Sequence, residues 1–164
     1  MKTRLIVATL VERNSLEKTV SSIVKQNLSD LEVIFVLPKN KSETVEKICE
    51  TENLKNYRIL IDEKKGLSHA INQGFGYEGN FEYFSWINDD DELTPFSLQR
   101  SINFLDNQSN YLAVVGSLNY RILDKNNIRL NQVNFLTFVV ATFGPNIIPQ
   151  PGSLIRRKIG RAHV

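Results

Sequence analysis

The chain has 164 residues, of which 41% are hydrophobic and 23% charged, enough for one sizeable core and hardly for two. That balance excludes a disordered, collagenous or coiled-coil protein. Lysine plus arginine (20) nearly matches aspartate plus glutamate (18), so the net charge of +2 gives no footprint for nucleic acid. No apolar run reaches the ~18 residues of a spanning helix. The apolar stretch after Met1-Lys2-Thr3-Arg4 is too short for a secretory signal. Cys49 is the only cysteine, so no internal disulfide can form and a reducing, cytoplasmic setting is expected.

In chain order, strands and helices alternate. Leu5 to Ala8 is a short β-branched apolar run, a buried strand. Asn14-x-x-Glu17 has the spelling of a capping box, and Leu16, Val20, Ile23 and Val24 form one apolar helix face. Leu31 to Leu37 is the second strand. Ser42 is expected to cap a second helix with Val45, Ile48 and Cys49 inward. Tyr57 to Ile61 is the third strand, and Leu67, Ala70, Ile71 and Phe75 mark a third helix. Phe81 to Ile87 is the fourth strand. Thr94 as N-cap and Pro95 in the first turn predict a fourth helix that buries Leu98, Ile102 and Leu105. Tyr111 to Leu118 is a fifth strand. Beyond it, Asn119 to Ile122 and Ile128 to Leu130 flank a hairpin loop at Asp124 to Asn127. Phe135 to Phe143 is a further apolar segment before a turn at Gly144-Pro145-Asn146. This order implies βαβ units and a mostly parallel sheet, whose ligands sit beyond the carboxyl ends of the strands.

That rule singles out Asn88-Asp89-Asp90-Asp91, three consecutive carboxylates at the end of a strand. In extended chain Asp89 and Asp91 would share a face. Their mutual repulsion is relieved by a cation, and hard oxygen donors suit Mn²⁺ or Mg²⁺. The alternative is a solvated acidic turn that caps the next helix. A second constellation is Lys65-Gly66-Leu67-Ser68-x-Ala70-x-Asn72-x-Gly74. Gly66 permits a tight turn into a helix whose free N–H groups favour anions, and Ala70 and Gly74 allow close helix packing. Gly74-x-Gly76-x-x-Gly79 spells a dinucleotide fingerprint, but it ends a helix instead of opening one and reads as a C-cap and loop. Cys49 lies on the apolar helix face and reads as core.

Together these segments resemble the family 2 glycosyltransferases of the GT-A fold. Gly66-x-x-x-Ala70-x-Asn72-x-Gly74 is similar to one family segment, and Trp86-Ile87-Asn88-Asp89-Asp90-Asp91-x-Leu93-x-Pro95 to a second. Pro149-Gln150-Pro151-Gly152-Ser153-x-x-x-Arg157 resembles the loop that forms the acceptor side. The resemblance implies an α/β GT-A (Rossmann-like) domain over residues 1–157, its sheet mostly parallel, flanked by helices and truncated at the C-terminus. It implies metal-dependent, inverting transfer of a sugar from a nucleotide-diphosphate donor to an acceptor hydroxyl, in surface polysaccharide or glycan biosynthesis. The acceptor would be a glycan or lipid-linked glycan, which leaves peripheral membrane association at the inner face open.

Residue by residue, the resemblance makes Asp91 a metal ligand, with Asp89 as a second candidate. Asp89 and Asp90 would contact the ribose or donor sugar. Thr9, Val11, Glu12 and Arg13 would line the base pocket. Lys65, Gly66 and Asn72 would lie near the nucleotide, and Gln150, Pro151 and Gly152 on the acceptor side. Two departures bear on donor choice: Pro38 to Ser42 replaces an acidic segment, and Lys64 stands where an aspartate is common. The family's general base lies beyond the acceptor loop, so this chain is expected to lack it. A non-catalytic nucleotide-sugar-binding module, or degenerate copy, is therefore the alternative. A nucleotidyltransferase would carry a glycine-rich loop after the first strand, which Leu10 to Arg13 is not. Finally, Ile159 to Val164 corresponds in frame to ATC-GGA-AGA-GCA-CAC-GTC, which resembles a sequencing-library adapter. Residues 158–164 are thus expected to be a non-native tail, the alternative being a short basic terminus.

Overall fold

The computed structural model describes residues 2–116, 118–121, 128–131 and 152–159. Four strands form the parallel part of the sheet: β1 (Thr3–Ala8), β2 (Leu31–Leu37), β3 (Tyr57–Ile61) and β4 (Tyr83–Asn88). Four helices accompany them: α1 (Leu16–Val24), α2 (Ser42–Thr51), α3 (Leu67–Gly76) and α4 (Ser97–Asn107). After α4 come β5 (Ala113–Val114), the antiparallel pair β6 (Leu118–Arg121) and β7 (Ile128–Asn131), and β8 (Leu154–Arg156). The main sheet runs β3-β2-β1-β4-β8-β5. Its order reverses at β1, which pairs with β2 on one side and β4 on the other. Ala8 is level with both Val36 and Asn88, so the ends of β1 and β4 meet at the switch point.

All of β2 is buried, as its unbroken apolar run requires of a strand covered on both faces. Leu5, Val7, Val33 and Phe35 face one way, into a core with Leu16, Val20 and Ile23 of α1, Val45 and Cys49 of α2, and Leu98, Ile102 and Leu105 of α4. Ile6, Ile34 and Val36 face the other way, against Ala70 and Ile71 of α3. Gly74 fits there because a Cβ would stand 2.8 Å from Ile6 Cγ2. Among the described residues no helix is long and apolar enough to cross a membrane.

One charged residue lies in the centre of this structure. Arg4 of β1 is fully buried. Its Nε and Nη2 donate to Glu32 Oε2 at 3.0 and 2.7 Å. Its other hydrogens go to the end of α3, to the carbonyls of Tyr77 (2.7 Å) and Glu78 (2.9 Å), with longer bonds to Gly74 and Phe75. The guanidinium also lies over the Phe81 ring, 4.3 Å from its centroid. A fixed positive charge thus satisfies the orphan carbonyls at the negative end of α3. The C-cap of α3 is Tyr77 and not a glycine; Gly76 is the last helical residue, and Gly79, at φ +111°, turns the chain in the loop beyond.

Several predicted details are corrected. No side chain of the Asn14-x-x-Glu17 box caps α1: Ser15 precedes the helix, and its hydroxyl donates instead to the Asp89 carbonyl at 2.8 Å. Ser42 is the first residue of α2, not its cap, and bonds back to the Lys39 carbonyl. The helix expected to start at Thr94-Pro95 starts at Ser97, after Phe96 in the left-handed region at φ 60°. Its cap comes from the turn after α1, since Gln26 Oε1 accepts the Leu98 N–H at 3.1 Å. In each case a distant partner displaces the local one. The fifth strand is only two residues long, because its partner β8 offers just Ile155 and Leu154 for pairing. β8 itself runs antiparallel between β4 and β5 and was not predicted. The hairpin is found as β6 and β7. Its loop at 124–127, the segments at 135–143 and 144–146, Gln150, Pro151 and the tail from Gly160 lie outside the described residues.

Candidate active site

A crevice of about 540 Å³ opens at the switch point. One wall is the segment after β1 and the turn after β4; the other is the start of α3 with Asp62 at the end of β3. Of the predicted site residues, Thr9, Glu12, Arg13, Gly66, Asp89 and Asp90 line it.

Thr9 organises the first wall. Its hydroxyl donates to Asp89 Oδ2 at 2.5 Å and accepts the Val11 N–H at 2.9 Å. That second bond holds Val11 at φ 54°, in the left-handed region. A β-branched residue there is strained by ~1–3 kcal/mol, a cost that persists where the surroundings over-determine the backbone. Asp89 is buried, while Asp90 and Arg13 are exposed. The Arg13 guanidinium pairs with the Asp90 carboxylate and stands 3.8 Å from Asp89 Oδ1.

The acidic segment is a turn, not extended chain, so Asp89 and Asp91 do not share a face by alternation. The Asp91 N–H donates to the Asn88 carbonyl at 3.3 Å, and Asp91 Oδ2 accepts the Asn88 N–H at 3.2 Å. Asp91 therefore folds back over the end of β4 and does not line the crevice. Burial pushes its carboxyl above the ordinary range and the Asp90 charge adds to this, against the Asn88 N–H, which works the other way.

On the second wall, Gly66 adopts φ +94°, a conformation that favours glycine, and α3 begins immediately after it. Asp62 Oδ1 accepts the Lys64 N–H at 2.9 Å. Lys65 pairs with Glu63 in solvent, which leaves it outside the crevice lining. Asn72 and Val11 are half-buried and do not line it either. Gly152, at φ +77°, precedes β8, and its carbonyl lies 3.0 Å from where a Cβ on Gly116 would stand.

Asp62, Leu10 and Leu67 line the crevice and were not among the predicted site residues. Asp62 follows the last residue of β3, so the strand-end rule could have found it. Leu10 and Leu67 are 53% and 51% exposed, apolar walls of the crevice and not core. Leu67 belongs to the apolar set that marks α3, but only the position of α3 on the sheet shows that it faces the crevice.

The oxygen donors of the acidic turn fit a divalent cation of the Mg²⁺ or Mn²⁺ kind. Among the described residues no three His, Cys, Asp or Glu side chains form a metal group of their own. An ion here would take one or two carboxylates and complete its shell with ligand oxygens and water.

The reversed sheet order, with helices on both faces and the crevice at the reversal, defines a mixed α/β domain of the GT-A kind. The sequence model of Glycosyl transferase family 2 matches residues 5–161, and the chain belongs to that family. An uncharacterized glycosyltransferase of Rickettsia typhi is 28% identical over 120 residues, covering 68% of this chain and 34% of the relative. Among solved structures, the mannosyltransferase PcManGT from Pyrobaculum calidifontis, in complex with GDP-Man and Mn²⁺, superposes with a TM-score of 0.61 at 20% identity, over 70% of this chain and 34% of that one. S. aureus TarS in complex with UDP-GlcNAc gives a TM-score of 0.56 at 22% identity, over 66% and 32%. The chain thus spans about a third of the length of these relatives.

Proposed function

We propose that the chain is the donor-binding part of a metal-dependent, inverting glycosyltransferase. It would take a sugar from a nucleoside-diphosphate donor and pass it to an acceptor hydroxyl in surface polysaccharide or glycan biosynthesis. The observation that carries this reading is the convergence, at the β1/β4 switch point, of Thr9, Arg13, Asp89 and Asp90 opposite the start of α3. Family membership and the donor-bound neighbours support it.

In this reading the crevice holds the donor. Leu10 and Leu67 offer apolar walls to its base, with Val11 and Glu12 beside them. The ribose diol meets Asp89 or Asp90. The diphosphate lies toward the start of α3, where Gly66 leaves the backbone N–H groups open to an anion. Lys65, just before that helix, and Asn72, in its second turn, are the remaining donor-side candidates. The metal is Mn²⁺ or Mg²⁺, held by Asp91 with Asp89; when bound it would neutralise charge on the leaving diphosphate. The acceptor side is assigned, by the family resemblance of their segment, to Gln150, Pro151 and Gly152. The general base is assigned to no residue of the chain.

Calorimetry with UDP and GDP, each with and without MnCl₂, tests the proposal. Binding that requires Mn²⁺ is expected for one of the two. Asp91→Ala should abolish that Mn²⁺ dependence while the fold survives, because the site is on a loop. If the parent chain binds neither nucleotide at millimolar concentration, the reading is wrong.

A further inference from the structure

Three polar residues of the α1 segment grip the acidic turn and the chain that follows it. The Ser15 hydroxyl donates to the Asp89 carbonyl at 2.8 Å. The Ser22 hydroxyl accepts the Leu93 N–H at 3.0 Å and donates to the Thr19 carbonyl at 2.7 Å. Gln26, 0% exposed, uses both ends of its amide. Its Nε2 donates to the Ser22 and Thr94 carbonyls, both at 3.0 Å. Its Oε1 accepts the Leu98 N–H at 3.1 Å and the Ser97 hydroxyl at 3.2 Å. Ser15 precedes α1, Ser22 lies within it and Gln26 is in the turn after it, and their shared partners make them one polar stripe along the segment.

A stripe facing a buried core would ordinarily be apolar. Here it is polar, and each group is satisfied by the backbone of residues 89–98. Those residues contain the carboxylates but little regular structure to fix them. Two hydrogen bonds of their own backbone, Asp91 to Asn88 and Ser97 to Thr94, hold the two ends. The span between is held by Ser22 and Gln26 on one side and by Arg100, which donates to the Pro95 carbonyl at 3.0 Å, on the other; the Thr9–Arg13 segment of the crevice leads directly into α1. The α1 segment therefore ties together the two parts of the first wall, the chain after β1 and the acidic turn.

We infer that Ser15, Ser22 and Gln26 are positioning residues for the carboxylates: they hold the acidic turn in the geometry that receives the donor and its cation. This rests on the donor-binding reading above. Gln26→Leu removes all four amide bonds, leaving the Leu98 N–H without its partner and the Thr94 carbonyl with only the Ser97 N–H. Ser15→Ala removes only the bond to Asp89, and Ser15→Thr keeps the hydroxyl.

The test uses the full chain, well below its unfolding temperature. Val45→Ala, a core change in α2 outside the crevice, serves as a control for general loss of stability. Hydrogen exchange should show faster exchange of the Asp91, Leu93, Ser97 and Leu98 amides in Gln26→Leu than in Val45→Ala. Affinity for UDP or GDP with MnCl₂ should fall about tenfold in Ser15→Ala and more in Gln26→Leu, as expected when one or several buried hydrogen bonds are lost. It should return in Ser15→Thr and stay near the parent value in Val45→Ala. Unchanged exchange in residues 89–98 overturns the positioning role whatever the nucleotide does. Faster exchange with parent-like nucleotide affinity makes the stripe purely structural and overturns the inference alone. Failure of the parent chain to bind either nucleotide overturns the donor-binding reading and the inference with it.

Discussion

Replacing Arg4 with methionine removes the only buried cation at the β1–α3 junction among the described residues. Methionine keeps much of the volume against Phe81 but strands several acceptors. Glu32, 5% exposed, keeps only its bond from Lys2 at 3.0 Å, and the carbonyls of Gly74 and Phe75 in the last turn of α3 and of Tyr77 and Glu78 just past it lose their common donor. Breaking a buried ion pair from one side costs about 3–5 kcal/mol. Against a total of ~5–15 kcal/mol for a domain, this brings the chain close to the margin. Urea unfolding followed by circular dichroism gives the value. Arg4→Met combined with Glu32→Leu removes the stranded carboxylate but not the uncapped helix end, so it should recover about half of the loss. The pH dependence carries a sign as well. Burial works to raise the Glu32 carboxyl, but hydrogen bonds from Arg4 and Lys2 outweigh it and hold the group below its ordinary value. A carboxyl depressed in the folded state stabilises fully above its unfolded pKa of about 4.3, and the contribution is lost as pH falls through the folded value. In Arg4→Met, burial gains the upper hand, and the slope near pH 4–5 should flatten or reverse. A loss below ~1 kcal/mol with an unchanged acid slope would refute the placement of Arg4 as a paired, buried cap.

Three further outcomes are expected. Gly74→Ala should destabilise despite alanine's helix preference of about 1 kcal/mol, because the new methyl meets Ile6 Cγ2 at 2.8 Å and Cγ1 at 3.1 Å and overpacking costs about 1–3 kcal/mol; a rise in thermal midpoint would count against the close packing of α3. Cys49 is fully buried and its thiol is pushed up to about 12, by burial first and by Glu46 and Glu50 next. At pH 8 only about one thiol in 10⁴ is then ionised, so a thiol reagent should label the native chain far more slowly than the unfolded one; fast native labelling would place Cys49 at the surface. Arg13→Ala removes the cation now paired with Asp90 and close to Asp89. Mn²⁺ alone should then bind more tightly, read by the loss of its free paramagnetic resonance signal, and equal binding would exclude Arg13 as a competitor for those carboxylates.

The sequence by itself determined the alternation of strands and helices and, to within a residue, where the four parallel strands end. Those follow from short-range periodicity: β2 and β3 have the limits that their apolar runs predict, and the inward faces of α1, α2 and α4 are the predicted ones. Because a parallel sheet gathers the carboxyl ends of its strands on one side, this was enough to bring Thr9, Arg13, Gly66, Asp89 and Asp90 to one crevice. Everything that depended on a partner far along the chain was decided by tertiary structure alone. Arg4 looks like a charge at the start of a strand until Glu32 and the end of α3 close around it, 28 and 70 or more residues away. Gln26 reads as the polar end of a helix until α4 needs a cap, and the cap that Thr94 spells locally is displaced by it. Asp91 reads as the neighbour of Asp89 on one face until the turn folds it onto Asn88. Local propensities differ by only ~1 kcal/mol or less per residue. A buried charge or an unsatisfied backbone group costs several times that, so where the two conflict the distant partner prevails.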